Sequence, residues 1–202
     1  MELFSNGASP YVRKVLIVLH ETDQLDDVTL TQAMGTALDS SNMPLAHNPI
    51  GKVPTLVRDD GPALYDSRVI CRYLDDRAGA GLYGHANALW DSLTIEATAD
   101  GILDALVLMT TEAKVRPPEL HFGPWLDGQW AKVERAIQVL ETRWLSHLHG
   151  PFGMSQIAVA SALGYADFRH AGRDWRAKAP GLARWLADIS ERPSLQATAP
   201  AL

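Results

Sequence analysis

The chain has a single cysteine, Cys71, in 202 residues, so no internal disulfide can form and a disulfide-stapled scaffold is excluded. Val69, Ile70, Tyr73 and Leu74 around it recur at helical spacing, and a thiol in that setting reads as buried and inert rather than nucleophilic. Basic charge is also in short supply. The formal net charge is −6 and the lysines and arginines are scattered, so the phosphate-neutralising stripe that nucleic-acid binding needs is missing. There is no run of about 18 consecutive apolar residues and no charged leader followed by an apolar stretch, so the expectation is a soluble cytoplasmic protein with no membrane partner. Of the seven histidines, only His147 and His149 stand close together, with no cysteine or carboxylate cluster beside them. No metal is expected.

What is present is ordinary for a globular chain, with 47% hydrophobic and 21% charged residues, and the order of its patterns is informative. Met1 to Phe4 reads as a strand, and from Tyr11 the apolar residues Tyr11, Val12, Val15, Leu16, Val18 and Leu19 fall at helical spacing. Val28 to Thr31 reads as a second strand, and a polar stretch with a weak helical signal runs to His47. Then come a strand over Thr55 to Arg58, a DDGP turn, a strand over Ala63 to Tyr65 and a helix from about Ser67. The order is β-α-β-α-β-β-α. Residues 77 to 86, RAGAGLYGHA, read as a linker. From Asn87 onward only helical patterns occur, punctuated by VRPP, LHGPFG, KAPG and ERPS. The expected organisation is an α/β domain over residues 1–77 and an all-helical domain over 87–202.

Three short motifs carry possible chemistry, and each has two readings. Ser9-Pro10 stands where the first helix begins, and serine followed by proline is a good N-cap pair. The same helix terminus presents free N–H groups and partial positive charge, so the serine there can also hold an anion such as a thiolate. In GKVPTL, Pro54 opens a strand, which is compatible with a simple edge strand or with a cis Val53-Pro54 bond that offers the Val53 backbone to an extended peptide. In YDSR, Asp66 and Ser67 either cap a helix or receive the ammonium and carboxylate of one zwitterionic ligand.

Taken together, SPYVRKV, NPIGKVPTL, YDSRVICRYL, ADGILDA at residues 99 to 105 and the closing PGLARWLADISERPS resemble the glutathione S-transferase family, in a bacterial branch, over essentially the whole chain. The resemblance implies a thioredoxin-like glutathione-binding domain (βαβαββα) followed by an all-α domain that contributes the electrophile pocket and dimer contacts. Glutathione is the implied co-substrate. Ser9 is implied to donate a hydrogen bond to its sulfur, with Ser5, at the end of the first strand, as the alternative. A free thiol has a pKa of about 8.5, and lowering it by two units takes about 2.7 kcal/mol. A hydrogen bond to a charged group supplies about 1.5 to 3 kcal/mol and the helix terminus about 0.3 to 1 more, which suffices.

The resemblance also implies that Val53-Pro54 is the cis-proline turn that pairs with the cysteinyl part of glutathione. Asp66 and Ser67 would receive its γ-glutamyl end, and Lys52 would neutralise its glycine carboxylate. Glu96, Asp100 and Asp104 are spaced i, i+4, i+8 and share a helix face. They read either as a solvated acidic face or, by resemblance, as placing Asp100 at the glutathione amine of a neighbouring subunit in a homodimer. The capping box that opens the core helix of the second domain in many relatives is incomplete here, since Ser155 is followed three residues later by Ala158. Tyr11, Leu106, Met109, Phe122, Trp125 and Phe168 are candidates for the pocket of the second substrate, or simply core.

The expected function is therefore a cytoplasmic, dimeric glutathione transferase that activates the thiol for attack on a small apolar electrophile. The alternatives are a non-catalytic glutathione-binding or regulatory protein on the same fold, or a glutathione-dependent oxidoreductase or peroxidase. Disulfide chemistry is disfavoured by a serine, rather than a cysteine, at position 9.

Overall fold

The structure is a computed structural model that describes residues 1–200. The chain divides into two compact units, one made of residues 1–82 with the segment from Ser194 onward, the other of Tyr83–Pro193.

The first unit is built on three strands, β1 (Glu2–Ser5), β2 (Thr29–Gln32) and β3 (Thr55–Val57), in the order β2-β1-β3. Strand β1 pairs parallel to β2, with Leu3 opposite Leu30, and antiparallel to β3, with Leu3 opposite Leu56. Leu3 and Leu56 are fully buried, while Leu30 is 48% exposed. The core therefore sits under the β1–β3 half of the sheet. Helix α1 (Pro10–Glu21) is buried on most of its circumference, through Val12, Val15, Ile17, Val18 and Leu19. Helix α2 (Ser67–Ala78) packs against α1 with Ile70, Cys71 and Leu74, so Cys71 is the buried thiol that the pattern indicated. The closing segment joins this unit through the Arg13 guanidinium, whose Nη2 donates to the Leu195 carbonyl at 3.3 Å, and through Ser194, whose hydroxyl donates to Glu21.

Two expected elements do not form. The stretch from Ala33 to Pro54 contains no helix, because polar side chains satisfy the local backbone instead. The Thr36 hydroxyl accepts from the amides of Leu38 and Asp39, and Asp39 accepts from the Ser41 amide. Such local bonds compete with helix formation, and Pro44 and Pro49 interrupt any pattern that survives. The expected strand over Ala63 to Tyr65 shrinks to one bridge, in which Leu56 and Leu64 exchange both backbone hydrogen bonds, at 3.0 and 2.8 Å. Its length is limited by the DDGP turn before it and the helix start after it.

The second unit is helical throughout. Its long helix α3 (Asn87–Val115) packs against α4 (Gly123–Val139) and, more extensively, against α6 (Met154–His170). Residues 154–163 of α6 are all buried, and Ala158, Ala160, Ser161 and Ala162 keep that helix thin enough to be surrounded. Between them lie a π-helical segment, Leu140–Trp144, and the short α5 (Leu145–Leu148); α7 (Trp175–Lys178) and α8 (Pro180–Ile189) follow. Glu141 of the π-helical segment supplies the cap that α8 lacks in its own sequence. Its two carboxylate oxygens accept from the amides of Gly181 and Leu182 at 2.9 and 2.7 Å. Glycine at position 181 gives this contact room, since a Cβ there would lie 2.5 Å from Leu145 Cδ2 and 2.7 Å from Glu141 Oε1, and those side-chain ends would have to shift.

The incomplete capping box of the helical unit has a physical resolution. Helix α6 begins at Met154, so its N-cap is Gly153 rather than Ser155. The residue three positions on is Gln156, whose Oε1 accepts from the Gly153 amide at 3.0 Å. The reciprocal half is absent because glycine has no side chain. No helix among the described residues is long and apolar enough to cross a membrane.

Candidate functional site

The register of the small sheet brings three segments to one end of it. Strand β1 runs antiparallel to β3, with Phe4 opposite Thr55, so the chain leaves β1 toward Ser5 and Ser9 beside the point where it enters β3 from Val53-Pro54. The Leu56–Leu64 bridge is also antiparallel, so the chain passes from Leu64 to Asp66 at that same end. Helices α1 and α2 both start there. Ser5, Ser9, Val53, Pro54, Asp66 and Ser67 therefore lie on three segments at one end of the sheet.

Ser9 is the N-cap of α1, in an extended conformation with Pro10 in the first turn. Its Oγ accepts from the Val12 amide at 3.3 Å, and its backbone amide donates to the Asn6 carbonyl. Among the described residues the Ser9 hydroxyl proton has no acceptor, so the side chain caps the helix with a lone pair and keeps a donor in hand. Ser5 differs. Its hydroxyl donates to the Thr31 carbonyl at 3.5 Å, a long bond that nevertheless turns it across the sheet.

Val53-Pro54 is a cis bond, and so is Tyr65-Asp66. Asn48, 2% exposed, holds the loop before Pro54. Its Nδ2 donates to the Lys52 carbonyl at 3.0 Å and to Thr55 Oγ1 at 3.1 Å, and its Oδ1 accepts from the Ile50 amide. Thr55 Oγ1 in turn donates to the Lys52 carbonyl at 2.9 Å. Gly51, at φ +65°, makes the turn that this frame encloses, where a side chain would be strained. Among the described residues no hydrogen bond uses the N–H or C=O of Val53, so that peptide edge can pair with an extended ligand. The Lys52 side chain is exposed beside it. Asn48 and Thr55 lie within the NPIGKVPTL motif but carry no role in the sequence reading; an asparagine before a proline, ahead of a glycine that takes positive φ, is the signal that marks such a frame.

Asp66 is the N-cap of α2. Its Oδ1 accepts from the Arg68 amide at 3.0 Å, and its Oδ2 pairs with Arg68 Nη2 at 3.3 Å. Both side chains of that ion pair are about half exposed, so the pair is weak and a ligand cation can displace it. Ser67 is 2% exposed at the first helical position.

In the helical unit, the acidic trio does not form one solvated face. Glu96 and Asp100 are 1% and 4% exposed, and only Asp104 is open to solvent. The Tyr83 hydroxyl donates to Glu96 Oε1 at 3.4 Å. Of the apolar pocket candidates, Leu106 and Met109 are buried and Phe122 is 62% exposed. A cavity of about 290 Å³ in this unit is lined by Glu134, Arg135, Ile137, Gln138, Trp175 and Lys178, and none of those candidates touches it. No cluster of His, Cys, Asp and Glu that could hold a metal occurs among the described residues.

Comparison with known proteins matches this geometry to a family. Residues 8–77 match the family model of the glutathione S-transferase N-terminal domain, and residues 123–188 that of the C-terminal domain. The chain is 31% identical to an uncharacterized GST-like protein, YibF, of Escherichia coli K12, across 99% of this chain and 98% of that one. It is 47% identical to a glutathione transferase family member of Pseudomonas fluorescens Pf-5. A structure of that protein with bound glutathione superposes with a TM-score of 0.96 over 100% of this chain and 99% of the other. A second structure of it, with bound S-(propanoic acid)-glutathione, gives 0.91 over 100% of both chains. With both domain models matched in order, and with sequence and structural relatives covered end to end, the chain belongs to the glutathione S-transferase family.

Proposed function

We propose that this protein is a glutathione transferase in which Ser9 stabilises the thiolate of glutathione for attack on a small electrophile. The observation that carries this reading is the Ser9 hydroxyl, which spends a lone pair on the Val12 amide and leaves its proton undirected at a helix N-terminus. A thiolate placed there receives one O–H donor and the positive end of the helix. The unpaired Val53 backbone would align the cysteinyl residue of glutathione, Lys52 would face its glycine carboxylate, and Asp66 with Ser67 would take the γ-glutamyl ammonium and carboxylate. In the reaction the thiolate sulfur forms a carbon–sulfur bond, and the electrophile either loses a leaving group with its electron pair or takes a proton at the neighbouring carbon. Ser9 stays a hydrogen-bond donor throughout and forms no covalent intermediate.

The bound S-(propanoic acid)-glutathione of the Pseudomonas relative is a thioether of the kind this reaction forms, which supports conjugation over thiol–disulfide exchange. A homodimeric, cytoplasmic enzyme is part of the same proposal, with domains over 1–77 and 87–202 and Asp100 serving the glutathione of the neighbouring subunit. The test is a pH titration of bound glutathione followed by thiolate ultraviolet absorbance, together with turnover on a panel of activated halides and unsaturated carbonyls. A bound thiol titrating well below its ordinary value of about 8.5, with turnover on at least one class, is expected. An unshifted thiol with no turnover would leave a glutathione-binding protein without transferase chemistry.

A further inference from the structure

We propose that Asn48 is a positioning residue for glutathione: by pinning the Lys52 carbonyl, it aims the Val53 amide at the bound tripeptide. The inference rests on the transferase reading above and adds the residue that prepares one edge of its glutathione site. All the protein groups concerned lie within residues 48–55 of the first unit.

Asn48 is 2% exposed, and each of its polar atoms is bonded. Its backbone amide donates to the Pro44 carbonyl at 2.8 Å, and its carbonyl accepts from the Gly51 amide at 3.0 Å. The side chain has one possible orientation. The Ile50 amide can only donate and the Lys52 carbonyl can only accept, so Oδ1 faces the first and Nδ2 the second, each at 3.0 Å. The other Nδ2 proton goes to Thr55 Oγ1 at 3.1 Å. Thr55 Oγ1 donates in turn to the Lys52 carbonyl at 2.9 Å, so that carbonyl has a donor for each of its lone pairs. Thr55 is fully buried and stands in β3 opposite Phe4, which ties the whole frame to the sheet.

The Lys52 carbonyl and the Val53 amide belong to one peptide group. That peptide is trans, so the group is planar and its N–H points opposite to its C=O. With the carbonyl pinned to two buried side chains, the Val53 N–H is directed away from them, and among the described residues it has no acceptor. Turning the plane would break both bonds to the carbonyl and leave two buried donors short of a partner, which costs more than one replacement bond returns. The amide is therefore held in place before a ligand arrives, and binding does not have to order it. An extended backbone laid along such an edge answers an N–H with a carbonyl. In glutathione that acceptor is the carbonyl of the cysteinyl residue.

The experiment is titration calorimetry of the full chain with glutathione, together with hydrogen exchange at the Val53 amide followed by NMR. In the wild type, glutathione is expected to slow exchange of that amide. Asn48→Ala is expected to bind glutathione about tenfold more weakly, as the loss of one well-aimed hydrogen bond would give, with the slowing at Val53 reduced. The bound thiol at saturating glutathione should titrate as in the wild type, because Ser9 is untouched. Thr55→Val should weaken binding in the same direction, and Thr55→Ser, which keeps the hydroxyl, should restore it. If Asn48 were merely structural, Asn48→Ala would lower the melting temperature and leave the affinity of the folded protein unchanged, and that result overturns the inference. A Val53 amide whose exchange glutathione does not slow in the wild type overturns it as well. Either result leaves Ser9 and the transferase reading standing. Wild-type protein that binds no glutathione overturns that reading and this inference with it. If Asn48→Ala fails to fold, the Thr55 pair decides, because equal glutathione affinity in Thr55→Val and Thr55→Ser is sufficient to overturn the proposal.

Discussion

Ser9 and Val12 are joined by a 3.3 Å hydrogen bond in which the serine oxygen is the acceptor. Capping and thiolate stabilisation are therefore separable in one side chain, because they use different parts of the hydroxyl. Ser9→Ala removes both. It is expected to cost about 1 kcal/mol of stability and to lower turnover about ten- to a hundredfold, with the bound thiol titrating higher. Ser9→Asp keeps an acceptor for the Val12 amide but supplies no proton and adds a negative charge. Near wild-type thermal stability with loss of thiolate is expected there, measured by calorimetry and ultraviolet titration. Ser5→Ala, whose hydroxyl already faces Thr31, should leave the thiol pKa where it was.

Asp66 also combines a cap with a charge. Its Oδ1 holds the Arg68 amide and its carboxylate pairs loosely with the Arg68 guanidinium. Asparagine at this position preserves the cap, since both residues are good N-caps, but cannot attract an ammonium group. Asp66→Asn is expected to melt like the wild type while binding glutathione about tenfold more weakly. Unchanged affinity in this variant would remove Asp66 from the glutathione site.

The contrast between positions 9 and 66 and the rest of the chain shows what a sequence displays. Ser9-Pro10 and Asp66-Ser67 were legible because a cap is a local event, set by one side chain and the amides two or three residues later. The Ala33–Pro54 loop was not, because a polar segment with weak helical spacing can satisfy its backbone from Thr36 and Asp39 just as well. The short Leu64 bridge was overcounted as a strand, since alternation alone does not say how long pairing lasts. Glu141 was invisible as the cap of α8, because its partners, the amides of Gly181 and Leu182, are distant in sequence. The acidic trio on α3 shows the same limit: periodicity put Glu96, Asp100 and Asp104 on one face, and tertiary packing buried the first two.

Gln156 is a consequence of the shifted start of α6. Beyond accepting from Gly153, its Nε2 donates to the carbonyls of His147 and Leu148 at 3.2 and 3.3 Å, and the residue is 3% exposed. Both carbonyls have a second donor, the Gly150 amide at 3.0 Å for His147 and Trp185 Nε1 at 2.9 Å for Leu148, whereas among the described residues the Gly153 amide has no other bond. Gln156→Ala is expected to cost about 2 to 4 kcal/mol, from one unsatisfied buried amide and the lost side-chain bonds, as read from chemical denaturation. Gln156→Glu keeps the acceptor for Gly153 but sets a buried carboxylate against the His147 and Leu148 carbonyl oxygens, so it too should destabilise, through that repulsion and the burial of charge.

His170 gives the helical unit a defined response to acid. Its pKa is lowered by burial first, with Arg173 and Arg169 adding to the shift and the Leu106 carbonyl opposing it. Between the folded value and the unfolded value of about 6.5, the unfolded chain binds more protons, so stability rises with pH across that window. The contribution is complete above about pH 6.5 and is lost as the pH falls toward the lower folded value. His170→Gln, which cannot titrate, should flatten this part of the profile in denaturation curves taken from pH 5 to 8. A slope identical to the wild type would assign the acid sensitivity to other groups.

Asp100 ties assembly to binding in the proposed dimer. The residue is 4% exposed in the single chain, so in the proposed dimer any interaction of its carboxylate with a second subunit's ligand would be only weakly screened by salt. In a two-fold arrangement the contact occurs twice, once for each glutathione. Asp100→Asn keeps the size of the side chain and removes its charge. It is expected to sediment as a dimer like the wild type while binding glutathione several-fold more weakly, because one charge-assisted bond to the glutathione amine becomes a neutral one. Light scattering that shows a monomer, with glutathione still bound normally, would separate binding from assembly. Asp100 would then be a residue whose buried charge serves its own helix alone.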